Sequence, residues 1–271
     1  MILAIDIGGT KTLVALFGDN QYMIKSRKIA TTPDYYQFLQ QLTDLIQQDF
    51  AQPEIKAVGI AAPGLIDYTT HEVTKLGNLL WHDIDLVEYL HQLLHVPVFI
   101  DNDANVAGLA EAHSLEKIPH NLLYVTFGTG IGSGIITEGR IDPTFAHSEV
   151  GHMMLWHNGL LQRWEDIASG RAILRDYHQR AADITDVATW KEIAHKMALG
   201  FFAFLAILQP DVVVVGGGIG TYFDRYGHLL SDELRAGLPA LVALPPIIQA
   251  KHPEEAVIYG CYQLAEQALV V

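Results

Sequence analysis

Over the first thirty residues apolar positions gather in three short runs, Ile2 to Ile7, Thr12 to Phe17 and Tyr22 to Ala30, with the turn signal Gly18-Asp19-Asn20 between the last two. Short apolar runs broken by turn residues predict strands, here an antiparallel meander. After Pro33 the period changes. Phe38, Leu39, Leu42, Leu45 and Ile46 fall at helical spacing, which predicts an amphipathic helix ending before Pro53. A strand over Ala57 to Ala61, the loop Pro63-Gly64, a helix near Leu86 to Leu94 and a strand Val98 to Ile100 follow. Strand and helix in alternation imply an α/β layer.

At Asn121 the pattern restarts. Leu122 to Phe127, a glycine-rich turn, Gly132 to Thr137 and a further turn at Glu138-Gly139 echo the first meander. Ile5-Asp6-Ile7-Gly8-Gly9-Thr10-Lys11-Thr12 and Thr126-Phe127-Gly128-Thr129-Gly130-Ile131-Gly132-Ser133 are one device used twice: a strand, a tight glycine turn, a returning strand. The chain therefore reads as internally duplicated, with a boundary near Ser114 to His120 and lobes over residues 1–117 and 118–271. Helical segments are predicted over Leu160 to Arg180 and Thr189 to Leu208, the latter ended by Pro210. Val212 to Val215 reads as a buried strand meeting Gly216-Gly217-Gly218, and a last helix, about Glu254 to Ala268, could return to the first lobe.

Charge narrows the function classes. Thirty-one acidic against seventeen basic residues leave a net charge of −14, with no lysine or arginine run. Nucleic acid is thereby disfavoured as a partner, because phosphate neutralisation supplies most sequence-independent affinity for it. The single cysteine, Cys261, rules out an internal disulfide and any multi-cysteine metal site. No basic n-region precedes the first strand, and the longest apolar stretches fall short of the roughly 20 residues a bilayer needs. A cytoplasmic protein without a membrane partner is the expectation.

Three constellations carry candidate chemistry. Gly8, Gly9, Thr10 and Lys11 form a turn whose amides a phosphate can approach without a Cβ in the way, and Gly128, Thr129 and Gly130 repeat it. One such turn is an ordinary hairpin; two opposed turns can grip one polyphosphate. Gly216, Gly217 and Gly218 add a third phosphate- or nucleotide-facing loop. Asp6, ending an apolar strand, either serves magnesium, directly or through water, or caps the glycine turn.

In the second constellation, Asp101-Asn102-Asp103-Ala104-Asn105 follows the strand Val98 to Ile100 and holds more Asp and Asn than helix capping requires. At the carboxyl end of a strand, Asp103 is a candidate general base for a hydroxyl and Asn102 its orienting partner. The third comprises Glu149, His152 and Glu165, set among Met153, Met154, Trp156 and Trp164: acceptors for vicinal hydroxyls beside flat apolar surface, as a sugar requires. His147 and His157 flank them and admit a zinc site, against which the lack of thiolates argues.

Together these residues resemble the ROK family of bacterial sugar kinases, repressors and open-reading-frame proteins, within the actin-like ATPase and hexokinase group. The resemblance rests on seven motifs in order over nearly the whole chain. They are Asp6-Ile-Gly-Gly-Thr-Lys11, Gly59-Ile-Ala-Ala-Pro-Gly64 with Asp67, Asn102-Asp103-Ala-Asn105, Gly128-Thr-Gly-Ile-Gly132, Glu149-Val-Gly-His152, Glu165 with Ser169-Gly170, and Gly216-Gly-Gly218. It implies a two-lobed actin-like (ribonuclease H-like) α/β fold, each lobe a mixed sheet flanked by helices, with the active site in the inter-lobe cleft. It also implies ATP on the glycine turns, with Mg2+, and a hexose or N-acetylhexosamine phosphorylated in glucokinase fashion at O6. Asp103 is then the base; Asn102, Glu149, His152 and Glu165 contact sugar hydroxyls, and Gly64 and Asn78 line the sugar pocket.

Family members are often dimers, so a homodimer is a further implication. Many also carry a cysteine-rich zinc loop after the Gly-His pair; His157 to Glu165 contains no cysteine, so no structural zinc is expected and Trp156, Leu160, Leu161 and Trp164 should pack the loop instead. The family's repressors place a helix-turn-helix before the phosphate turn; since the sequence opens at that turn, none is expected here. Polyphosphate-dependent phosphorylation and non-catalytic sugar sensing are the alternatives within the family, and a nucleotide-dependent structural protein of the actin type is the alternative outside it.

Overall fold

The computed structural model describes residues 1–50, 54–68, 70, 73–75, 79, 81 and 85–269. The chain forms two compact units, Met1–Ala110 with Val257–Val271, and Glu111–Ala256.

In the first unit, β1 (Ile2–Ile7), β2 (Lys11–Phe17) and β3 (Met23–Ala30) form an antiparallel meander. The helix α1 (Tyr35–Leu45) starts where the Asp34 carboxylate accepts the Gln37 N–H, and runs on into a π turn over Ile46–Phe50. Next come β4 (Ala57–Ala62), the short antiparallel pair β5 (Leu65–Ile66) and β6 (Val73–Lys75), α2 (Leu86–Leu94), β7 (Val98–Asn102) and α3 (Asp103–Ser114). The sheet order is β3-β2-β1-β4-β7, with β4 parallel to both its neighbours. Every residue of β4 is buried, the pattern of a central strand covered on both faces. Leu3, Ile5, Ile7, Phe38, Leu42, Phe50, Val58 and Ile60 make up much of the core.

The second unit repeats the scheme. Its meander is β8 (Asn121–Phe127), β9 (Ile131–Thr137) and β10 (Arg140–Ile141), the last turn made by Glu138 and Gly139, both at positive φ. A 3₁₀ turn over Val150–His152 leads to the hairpin β11 (Met154–His157) and β12 (Leu160–Arg163), then to α4 (Trp164–Ala168), α5 (Gly170–Tyr177) and α6 (Val187–Leu208). The strand β13 (Val212–Gly216) follows, then α7 (Gly217–Gly220), α8 (Phe223–Gly237) and β14 (Ile247–Gln249), in a sheet of order β10-β9-β8-β13-β14. Trp164, Trp190, Phe201 and Tyr226 anchor this core, with Trp190 stacked on Tyr226 at 5.2 Å between ring centroids. The last helix, α9 (Ala256–Leu269), packs in the first unit: Cys261 Sγ donates to the Ile5 carbonyl, and the Tyr262 ring lies 5.2 Å from that of Phe17.

Three expectations need correction. The helical segment expected over Leu160 to Arg180 opens as a strand and then forms two short helices. Asn158 and Gly159, at φ 52° and 76°, make a two-residue hairpin turn, and Ser169 starts a new helix by accepting the Ala172 N–H. Second, the loop is not packed by Trp156, Leu160 and Leu161, which are 74%, 64% and 51% exposed; only Trp164 is buried. The paired backbone of the hairpin holds the segment instead. Third, the reading of the chain lacks α8, a fifteen-residue helix. Among the described residues no helix is long and apolar enough to cross a membrane.

Candidate active site

The parallel strands β1, β4 and β7 run in register, Asp6 opposite Ala61 and Ala62 opposite Asn102, so their carboxyl ends deliver Asp6, the Pro63-Gly64 loop and Asn102-Asp103 to one edge of the first sheet. That edge is where open α/β sheets bind ligands. Beyond Asp6 the glycine turn is closed by the Gly8 N–H donating to the Lys11 carbonyl at 3.0 Å, and Gly9, Thr10 and Lys11 are exposed.

At the head of α3 the side chains of both Asn102 and Asp103 accept the Ala104 N–H at 2.8 Å. Asn102 Nδ2 also donates to the Gly64 carbonyl at 3.0 Å, which unites two residues assigned to the sugar. An amide so used keeps a second N–H and a further lone pair. Below them the buried Asp101 accepts from the Asn102 N–H, from Asn105 Nδ2 and from the Tyr68 hydroxyl at 2.7–2.9 Å. The loop is thus fixed by hydrogen bonds on both sides. Burial, and next the charge of Asp103, push the Asp6 carboxyl up to about 7, with Lys28 opposing. Two neighbouring carboxylates, one of them costly to ionise, suit a divalent cation.

In the second unit β8 and β13 are parallel, with Thr126 opposite Gly216, so Gly128-Thr129-Gly130 and Gly216-Gly217-Gly218 leave neighbouring strands on the same side. Gly217 has φ 80°, and a methyl group on it would fall 2.5 Å from Thr126 Oγ1; only glycine lets the third loop lie this close to the end of β8. The segment after α4 docks on the turn: the Gly170 N–H donates to the Gly128 carbonyl at 2.8 Å and Arg171 Nε to the Thr129 carbonyl at 3.0 Å.

Glu149, His152 and Glu165 come together beside this turn. Glu165 is 8% exposed; its Oε1 lies 3.6 Å from His152 Nε2, 3.0 Å from Arg163 and 3.4 Å from Arg171. Its other oxygen would be 2.8 Å from a methyl group on Gly130, so the carboxylate rests against the turn itself. Desolvation raises the Glu149 carboxyl, His152 draws it down and Glu165 pushes it up again. Among the described residues no three or more His, Cys, Asp or Glu side chains are arranged so that they could hold a metal ion. Asn78 lies outside the described residues.

Reasoning from the sequence missed Tyr68, Arg163 and Arg171. Arg163 sits two residues from Glu165 and could have been suspected; Tyr68 and Arg171 meet their partners only through the fold.

Among curated proteins, the chain is 28% identical over 305 residues to the N-acetyl-D-glucosamine kinase of Yersinia pseudotuberculosis, covering 96% of this chain and 97% of that protein. It is 25% identical over 276 residues to the glucokinase of Streptomyces coelicolor, covering 87% and 86%. Among solved structures, the ROK hexokinase of Thermus thermophilus superposes with a TM-score of 0.81 at 25% identity, covering 99% of both chains. The fold is accordingly that of the actin-like sugar kinases. The sequence profile of the ROK family matches residues 2–268, and the chain belongs to that family.

Proposed function

We propose that the protein is an ATP-dependent sugar kinase that phosphorylates a hexose or N-acetylhexosamine, at O6, with Asp103 as general base. The observation that carries this reading is the company of Asp103: within one unit it follows an amide that also holds the Gly64 loop, at the sheet edge to which β1 delivers Asp6 and the glycine turn. A proton acceptor, an alcohol-orienting amide and a phosphate turn on one sheet edge are the parts phosphoryl transfer needs.

In this reaction the sugar hydroxyl oxygen forms a bond to the γ-phosphorus while the bond from phosphorus to the bridging oxygen breaks, and ADP leaves with that electron pair. Asp103 accepts the hydroxyl proton. Asn102 orients the same hydroxyl with its second N–H, and the Asp101 network keeps both side chains from swinging away. Glu149, His152 and Glu165 accept from or donate to the other hydroxyls, and Gly64 bounds the sugar. Asn78 is assigned there by family resemblance alone. The glycine turns 8–11, 128–130 and 216–218 hold the nucleotide. Asp6 would hold the magnesium of the nucleotide, directly or through water; when bound, that ion neutralises charge building on the phosphoryl oxygens. A homodimer and a cytoplasmic location are the corresponding expectations from the family.

The names of the relatives, an N-acetylglucosamine kinase and a glucokinase, define the sugars to try. ADP release should be measured across hexoses and N-acetylhexosamines with ATP and magnesium, with polyphosphate as a parallel donor. We expect sugar-dependent ADP release with ATP for at least one of them. Release only with polyphosphate would transfer the reading to the other donor, and no turnover with either would favour a sugar sensor.

A further inference from the structure

A carboxylate pressed against a turn that is to hold an anion is an electrostatic contradiction, and the second unit contains one. Glu165 contacts Gly130, at the turn proposed to take phosphate, and is shielded from water, so its charge is poorly screened there. Three cationic or protonatable groups lie near it. Arg163 reaches Glu165 with Nη1 at 3.0 Å while its Nε and Nη2 bind Asp166 at 2.8 and 2.9 Å, so it is anchored away from the turn. His152 is farther away, at 3.6 Å, and carries charge only when protonated. Arg171 is placed differently: Nε is fixed on the Thr129 carbonyl of the turn, Nη2 faces Glu165, and the side chain is 61% exposed. Its guanidinium therefore spans the turn and the carboxylate while remaining open to a ligand.

We infer that Arg171 is a positioning residue that countercharges Glu165, so that a carboxylate serving the sugar can sit beside a turn serving phosphate. The inference rests on the kinase reading above, which places a phosphate at that turn. Arg163 also neutralises Glu165, but of the two arginines it is Arg171 that is bonded to the turn and so places its charge between carboxylate and phosphate.

The test is affinity for adenylyl imidodiphosphate with magnesium, measured by calorimetry without sugar. At low salt, R171Q should bind about five- to tenfold more weakly than wild type, with the gap closing as salt is added. R171K, which keeps the charge, should stay within about threefold. In E165Q/R171Q, where both charges are gone, affinity should return to within about threefold of wild type. R171Q binding within twofold of wild type would overturn the inference, as would a double variant as weak as R171Q, because the loss would then come from the broken Thr129 contact and not from charge. Should R171Q fail to fold, R171M takes its place in the same comparison. A wild-type protein that does not bind the nucleotide overturns the kinase reading together with this inference, whereas wild-type binding with no effect of R171Q overturns this inference alone.

Discussion

Asp6 illustrates how one residue couples function to stability. Its carboxyl titrates near 7 in the folded chain because burial and Asp103 penalise its charge, against a usual value of 3.8. Between those two values the folded state binds the extra proton. Stability contributed by this group is thus fully present below about pH 4 and is lost as pH rises through 7. Replacing Asp6 by Asn removes the penalty. We expect D6N to exceed wild type in unfolding free energy above pH 7, by an amount on the order of a few kcal/mol, while nucleotide turnover falls. Urea unfolding at pH 5 and pH 8 checks this: the advantage should be present at pH 8 and shrink at pH 5. An equal difference at both values would mean that the carboxyl is not held protonated by its surroundings. The residue types at the first sheet edge were legible from their crowding after strand Val98 to Ile100. Their support was not, since Tyr68 and Asp101 stand 33 positions apart and meet only when β5 and β7 have folded.

At the scale of elements, both meanders could be read because turn residues interrupt short apolar runs, a signal that tertiary packing reinforces. The segment after Asn158 misled because Leu160, Leu161, Trp164, Ile167 and Ala168 also suit a helix, while the Asn158-Gly159 turn favours a hairpin. The turn prevails locally, since both residues take the positive φ that a two-residue loop requires. Along the hairpin Trp156 and Leu161 pair across the strands and lie exposed, whereas Trp164, the first residue of α4, enters the core between Phe127 and Phe201. Trp156→Ser should therefore alter unfolding free energy by less than about 0.5 kcal/mol. Trp164→Ala should cost about 3–5 kcal/mol, because it opens a cavity under α6. Comparable losses for the two tryptophans in urea titrations would return the hairpin to the packed loop expected from composition. The helix α8 escaped notice because glycines at 227 and 237 and a polar outer face blur its apolar stripe; Tyr226, Leu230 and Leu234 carry it into the core.

For the whole molecule, duplication is the organising feature. Each unit has a five-stranded sheet, a meander, a glycine turn and parallel strands that deliver further site residues. The first unit carries the candidate base, and the second carries the cluster of Glu149, His152 and Glu165. The measurement that bears most directly on this assignment is sugar-dependent ADP release by Asp103→Asn beside wild type, with sugar affinity measured in parallel. Asn keeps the size of the side chain and an oxygen to accept the Ala104 N–H, but cannot take the hydroxyl proton. We expect turnover to fall by about 100- to 10,000-fold with sugar affinity and thermal stability little changed. Turnover within a fewfold of wild type would contradict Asp103 as the base, and with it the reading of this sheet edge as the place where phosphate is transferred.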